Sequence, residues 1–479
     1  MQQFFDVRQW MTTGNEAISK EFLLALPEPL AHFLAQTRIT EHGSYEMPWR
    51  QFTLRSAFQP IVSFTHNCIV GHEALVRPIT NNGIPIPPPE LFSLANQFGE
   101  QSLLDRACRA LHFLNAGNPP GWLFLNFLAA DFGREESDAI SHQFMQASIE
   151  HLHADMSRVV VEVVEDAVDD TARFEAGAQR LRSYGIGLAL DDFGAGASNF
   201  DRVWKIEPEI VKLDRSFTQQ STHDGRMRRM LPRIVELLHE AGAQVVLEGI
   251  ETEEQALIAL DANVDYGQGW FLGHPQPRPH TNPLALEPLI ESLWTENKRR
   301  SHNLEEKRAS IIDPILEVMQ QAAGHFRQWD DFAEASRRFL EIHPARRIYV
   351  VGPDGRLCRG PLVSGCRGRM GRTCIHCSHN CPDQEKPRYN PIPEPQSCLN
   401  RARLTRQPFF RRALSYPHSV QITRPYISFC DGKMTTTVSK CISIDGEFCV
   451  LCGDLDWNEL NHGLHHEADW LNHINIPTT

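Results

Sequence analysis

Ten polar side chains break otherwise apolar runs between Phe58 and Leu272: Gln59, Glu73, Asn126, Glu162, Glu165, Asp191, Asp192, Lys212, Glu248 and Gln268. Six are carboxylates and three are amides, so nine of the ten offer hard oxygen donors of the kind that suit Mg2+ or Mn2+. Any one acid, taken alone, reads equally well as a solvated turn residue. As a set they do not, because turns draw on Gly, Asn, Asp and Ser, whereas Glu73, Glu162 and Glu248 interrupt apolar runs. Carboxylates buried there need a counter-charge.

The elements that must position them follow from the runs themselves: FQPIV (58–62), IVGHEAL (69–75), WLFLNF (122–127), VVVEVVE (159–165), IGLALDD (186–192), IVKLD (210–214), VVLEG (245–249) and YGQGWFL (266–272). Short apolar runs without alternation read as strands buried on both faces, and most spacers are long enough for a crossover helix. Eight such units predict an α/β fold, a (β/α)8 barrel. In that architecture polar residues at the carboxyl ends of different strands converge on one mouth.

The run Glu73-Ala74-Leu75-Val76-Arg77 resembles the signature of the EAL domain, the phosphodiesterase that opens cyclic di-GMP. FQPIV, LNF, VEVVE, ALDDFGAG, VKLDRSF, LEGIET and QGWFL resemble the family's other blocks in order, from about residue 50 to 280. The resemblance implies that Glu73, Asn126, Glu162 and Asp191 hold one divalent cation, and that Asp191, Asp192 and Glu248 hold a second. It implies further that Lys212 contacts the nucleophilic water with Asp214 holding it in place, and that Glu251 belongs with the catalytic blocks. Gln59, Leu75, Arg77 and Gln268 would meet substrate or metal-bound water, and Glu165 would anchor the loop after Asp192. A lysine between Val211 and Leu213 is also open to a purely structural reading as a salt-bridge partner. The loop departs from the family, with alanines at 195 and 197 where threonine and tyrosine are common, and Val164 stands where threonine is usual.

The chemistry implied is in-line attack on one phosphorus, opening cyclic di-GMP to linear pGpG with two Mg2+ or Mn2+ ions. Without cations an acidic cluster would repel a phosphodiester. A receptor that binds without cleaving is the second reading, and the filled ligand set favours the enzyme. EAL barrels commonly pair, so a homodimer is expected.

Around this segment, 479 residues suffice for two or three domains, and 41% hydrophobic with 22% charged content is ordinary for a globular chain. The start, MQQFFDVRQW, lacks a basic region followed by a long apolar core, and no membrane span stands out, so a cytoplasmic protein is expected. The organisation reads as a helical extension (1–48), the barrel (49–295), a helical linker (296–345) and a PAS/Cache-like domain (346–479) with a Cys-rich insertion at about 358–398. In the linker, Ile315, Met319, Ala322, Phe326 and Trp329 fall on one helix face, which would cover its own domain's sheet or serve a contact elsewhere. From Arg346, IYVVGPDGRL, RPYISFC, KMTTTVSKCISI and EFCVLCGDLDW read as antiparallel strands around Pro-Asp-Gly and Asp-Gly turns. Placed behind a long helix, they are similar to a PAS/Cache sensor fold.

Ten of the twelve cysteines lie in this second half. Cys366, Cys374, Cys377 and Cys381 are spaced closely enough to wrap one soft metal, zinc or an iron–sulfur cluster; redox-active thiols and ordinary free cysteines are the other readings. Cys449 and Cys452 are three apart, so a strand sends them to opposite faces. Residues 356–412 carry twelve basic against three acidic side chains, a local +9 within a chain of net −13. No basic and aromatic alternation accompanies it, so a nucleic-acid polymer is not the expected partner.

Overall fold

The computed structural model describes residues 18–128, 131–132, 135–152, 154–164, 171–195, 200–364, 402–428 and 432–462; Glu165, Cys366, Cys374, Cys377 and Cys381 lie outside them. The chain divides into two compact units, Met1–Lys298 and Arg299–Thr479.

The described part of the first unit opens with helices α1 (Lys20–Ala25) and α2 (Glu28–Ala35) and strands β1 (Arg38–Ile39) and β2 (Tyr45–Trp49). Ser19 caps α1, accepting from the Phe22 amide at 3.2 Å, and Phe22 and Leu30 are buried in the same core as the barrel helices. The segment thus contributes strand as well as helix, and β2 runs antiparallel to the next strand.

Eight strands then close into a barrel: β3 (Phe52–Ser63), β4 (Cys68–Thr80), β5 (Trp122–Asn126), β6 (Val159–Val164), β7 (Gly187–Phe193), β8 (Ile210–Leu213), β9 (Gln244–Leu247) and β10 (Tyr266–Gly267). Between β4 and β10 run α3 (Pro88–Gln97), α4 (Gln101–Ala116), α5 (Glu135–Leu152), α6 (Thr171–Ser183), α7 (Phe200–Ile206), α8 (Arg215–His223), α9 (Gly225–Glu240) and α10 (Glu253–Asp261). From β4 to β10 every neighbour is parallel. β3 is antiparallel to both β4 and β10, which corrects the expectation of eight equivalent βα units. The physical reason was visible in the spacing: a parallel connection needs about a dozen residues or more, and too few separate FQPIV from IVGHEAL.

Alternation along the strands builds two cores. Leu123, Leu125, Val161, Leu188, Leu190, Val211, Leu213, Val245 and Leu247 pack outward against the helices. Ile61, Phe124, Val160, Ala189, Ile210, Val246 and Tyr266 form a separate layer inside the barrel, with Val70 packed against it. One residue from each strand plugs the interior, so the barrel is filled rather than open.

In the second unit a six-stranded antiparallel sheet runs in the order β12 (Leu357–Val363), β11 (Ala345–Val351), β16 (Glu447–Asp456), β15 (Met434–Ile444) and β13 (Gln421–Ile422), with β14 (Tyr426–Ile427) also on β15. The β15–β16 hairpin turns at Asp445 and Gly446, both at positive φ (53° and 84°), as a two-residue turn that matches strand twist requires. One face of the sheet packs on α11 (Glu287–His325) and α12 (Phe332–Leu340) through Ile315, Met319, Ala322, Phe326 and Phe339. The periodic face read from the sequence therefore covers its own unit's sheet, although α11 ends at His325 and Phe326 and Trp329 lie beyond it. The opposite face packs on α13 (Pro408–Ser415) through Tyr349, Phe409, Phe410 and Cys452, while Cys449 lies in the first core, so the two cysteines do point to opposite faces. Among the described residues no helix is long and apolar enough to cross a membrane.

Candidate active site

The polar residues of the sequence reading gather one step above the interior plug. Asn126, Glu162, Asp191, Lys212, Glu248 and Gln268 each lie two residues beyond Phe124, Val160, Ala189, Ile210, Val246 and Tyr266, the inward residues of their strands. Positions i and i+2 of a strand share a face, so the plug fixes the floor and the polar layer faces the mouth. On the antiparallel β3 the order reverses: Gln59 lies two residues before Ile61 and pairs in register with Glu73.

At the centre is Lys212, only 1% exposed. Its Nζ lies 2.7 Å from Glu248 Oε1, 2.8 Å from Glu162 Oε1, 3.1 Å from Asp191 Oδ1 and 3.5 Å from Glu73 Oε2. Glu73 also accepts from Gln268 Nε2 at 2.6 Å and Asn126 Nδ2 at 3.2 Å, and Gln59 Nε2 donates to the Gly273 carbonyl at 3.2 Å. The Asn126 amide turned this way leaves its oxygen available.

Adjacent strand residues point to opposite faces, so Asp191 and Asp192 should not both reach the site. They do because the backbone kinks: Asp192 has φ +56°, and the register of β7 on β8 slips between Leu190 and Phe193. A left-handed aspartate costs about 1–3 kcal/mol, and such strain persists where the surroundings enforce it. As a result, one carboxylate oxygen from each of Asp191, Asp192 and Glu248 lies within 4.8 Å of the others.

Burial and neighbours set the protonation states. Burial pushes the Glu162 carboxyl well above the usual range despite Lys212, with Glu73 and Asp191 adding to the push. Glu248 is raised to about 8, chiefly by burial against the pull of Lys212. Asp192 is raised by burial and by Asp191. Burial acts the same way on Glu73, but Lys212 and the Gln268 and Asn126 bonds outweigh it and hold that carboxyl low. Burial alone would lower Lys212, yet the four carboxylates raise it well above the ordinary lysine value. Such a cluster is short of positive charge. Glu162 Oε2 and Gln268 Oε1 are buried without a hydrogen-bond partner among the described residues, and every donor is a hard oxygen, so the residues fit one or more divalent cations.

The other described residues of the reading sit on β4, just after β8 and just before α10. Asp214 caps α8, accepting from the Ser216 amide at 2.9 Å, and it adds to the negative field on Asp192. Arg77 is half-buried, within the field of Glu73, and Nη1 donates to the Val76 carbonyl at 2.9 Å. Leu75 is half-buried on β4, two residues from Glu73. Glu251 is exposed, with its amide donating to Gln255 Oε1 at 2.7 Å in the capping box of α10. The sequence reading passed over Thr218, whose hydroxyl donates to the Glu248 carbonyl, and a buried Asp105–Arg109 pair on α4. The signal for the pair was two opposite charges four residues apart between Leu104, Cys108 and Leu111.

Residues 47–275 match the family model of the EAL domain. Among curated proteins, the chain is 29% identical over 237 residues to the bifunctional diguanylate cyclase/cyclic di-GMP phosphodiesterase MucR of Pseudomonas aeruginosa, covering 48% of this chain and 33% of MucR. It is 27% identical over 231 residues to the cyclic di-GMP phosphodiesterase RocR of the same organism, covering 47% of this chain and 57% of RocR. The chain thus spans from a third to somewhat over half the length of these two relatives. Among solved structures, the Bacillus subtilis YkuI protein, with an EAL domain, in complex with substrate c-di-GMP and calcium, superposes with a TM-score of 0.68 at 18% identity, over 85% of this chain and 95% of that one. That likeness shows a shared fold reaching beyond the barrel. The barrel and its polar layer thus lie within the residues, 47–275, that are similar to the EAL domain.

Proposed function

We propose that this protein hydrolyses cyclic di-GMP to linear pGpG at the mouth of the barrel. The observation that carries the reading is the convergence of Glu73, Glu162, Asp191, Asp192 and Glu248 with Asn126 around one buried lysine, with the last three acids close enough to share a cation. A phosphodiester is an anion, and an acidic cluster accepts it only when cations reverse its charge. Glu73, Asn126, Glu162 and Asp191 would hold one Mg2+ or Mn2+, and Asp191, Asp192 and Glu248 the other. When bound, such ions supply Lewis acidity at the phosphoryl oxygens and a water of lowered pKa.

The chain's own groups do the rest. The surrounding carboxylates hold Lys212 charged; with their charge matched by cations, burial would pull its pKa down and leave Nζ to orient or take a proton. Asp214, at the end of the same strand, fixes the first turn of α8. Gln268 holds Glu73 in one orientation, and it also donates to Gln59 on the neighbouring strand β3. Arg77 is read as the phosphate contact, with Leu75 beside it; Glu165 is read as the anchor of the loop after Asp192, and Glu251 as one of the catalytic set. The test is incubation with cyclic di-GMP and Mg2+ or Mn2+ followed by chromatography for pGpG. Product should require the cation and disappear in Glu73→Ala, and unchanged turnover in well-folded Glu73→Ala protein would overturn the mechanism.

For the rest of the chain we carry forward a cytoplasmic protein and a PAS/Cache-like second unit that modulates the barrel. Its cysteines Cys366, Cys374, Cys377 and Cys381 are read as a soft-metal site. Anaerobically purified protein should then contain close to one zinc or one iron–sulfur cluster per chain, lost on replacing Cys374 and Cys377 by serine. Elemental analysis with a visible spectrum checks this, and the absence of both metals would leave redox-active thiols or ordinary free cysteines.

A further inference from the structure

We infer that Asp105 and Arg109 on α4 are positioning residues for Asn126, an inference that rests on Asn126 being a cation ligand. Asp105 is 5% and Arg109 7% exposed, and they pair directly one helical turn apart. A buried ion pair contributes little to stability, because desolvation offsets its attraction, and apolar replacements of similar volume are often neutral. The pair's neighbours give it a further role. Asp105 Oδ2 accepts from the Leu128 amide at 3.3 Å, and the Arg109 guanidinium sits 3.9 Å over the Phe127 ring. One turn along the same helix, Ser102 Oγ donates to Asp131 Oδ1 at 2.9 Å and Arg106 pairs with Asp131 at 3.4 Å.

Phe127 and Leu128 are the two residues that follow Asn126, the last residue of β5. On one side Asn126 is set by the β5–β6 register, where it stands opposite Glu162. On the other, the ladder ends with the Phe127 amide donating to the Glu162 carbonyl at 2.9 Å, and α4 takes over. Asn126 itself is exposed and, among the described residues, makes one side-chain bond, to Glu73 at 3.2 Å. Its oxygen is therefore aimed chiefly by its backbone, and that backbone is gripped by the α4 pair. A ligand must be held within about 0.5 Å to bind well.

The test is Mn2+ binding to nucleotide-free protein, followed by electron paramagnetic resonance, with urea midpoints in parallel. In the double variant Asp105→Leu/Arg109→Met the pair is replaced by apolar volume, so the midpoint should stay near that of the parent. Mn2+ affinity should nevertheless fall roughly ten- to hundredfold, the range for groups that orient a ligand. A purely structural pair would leave affinity tracking the midpoint. Should the double variant fail to fold, Arg109→Lys keeps the charge and loses the planar stack, and it should still weaken Mn2+ binding. Unchanged affinity in a folded variant, alongside weakened binding in Asn126→Ala, would overturn this inference alone. Equal Mn2+ binding by Asn126→Ala and the parent would overturn the reading of Asn126 as a ligand, and this inference with it.

Discussion

Lys212 acts as a built-in counter-ion, and this has a consequence for the cation-free protein. Four carboxylates lie within 3.5 Å of its Nζ, and removing one partner of a buried charge network typically costs about 3–5 kcal/mol. Lys212→Ala should therefore be destabilised by that amount in chelator, and Mg2+ or Mn2+ should recover most of it, read from urea midpoints. pH enters through the same groups. Glu248, raised from 4.5 to about 8, binds its proton more tightly folded than unfolded. Its contribution is fully present below pH 4.5 and is lost as pH rises to about 8, and Glu162 shifts in the same direction. In chelator the urea midpoint should fall between pH 6 and pH 8.5. With saturating Mg2+ that fall should disappear, and a flat profile in chelator would contradict the burial that raises these carboxyls.

At the scale of elements, the site depends on where strands stop being regular. Asp192 reaches the acids only through its positive φ, and Glu248 is followed by Gly249 at φ +68°, where a Cβ would lie 2.4 Å from the Arg215 Cβ. Gly249→Ala must strain the backbone or push α8 away, so it should cost about 1–3 kcal/mol and shift Glu248. Because a misplacement of about 1 Å can cost a hundredfold in rate, turnover should drop well beyond what lost stability explains, measured as kcat beside the urea midpoint. The strands themselves were legible in the sequence, since a strand buried on both faces is an unbroken apolar run and a polar residue inside it stands out. The direction of β3 was missed by the reading of eight equivalent units, although the spacer after FQPIV is too short for a crossover. The kink at Asp192 was not legible, because residue type only biases φ. Nor was the role of the Asp105–Arg109 pair, since opposite charges four apart on a helix ordinarily mean a solvated face.

For the whole molecule, the expectation of a homodimer loses one of its supports. Ile315, Met319, Ala322 and Phe326 are buried within the second unit and offer no free face. We propose that a dimer forms on surfaces of the barrel, and light scattering at micromolar concentration should give twice the 54.5 kDa chain mass, with or without cyclic di-GMP. A mass of one chain under both conditions would remove the proposal. The change from buried runs to Asp-Gly-punctuated strands near Arg346 marks where the second unit's sheet begins, whereas the unit itself begins at Arg299. What the sequence left open was which face of the second sheet each helix covers, because alternation gives two faces without saying which element packs on either.

The closing strand β10 is two residues long, yet it pairs with β9 on one side and with the Val62–Ser63 end of β3 on the other. During synthesis β3 and β4 can zip together early, but the barrel cannot shut until Tyr266 and Gly267 have left the ribosome. Until then the nascent sheet carries two unpaired edges, open to strands from neighbouring chains. A message truncated before residue 266 would yield every strand that bears a carboxylate of the site and still no closed barrel, so the product's fate would be decided by chaperones and proteases rather than by its chemistry.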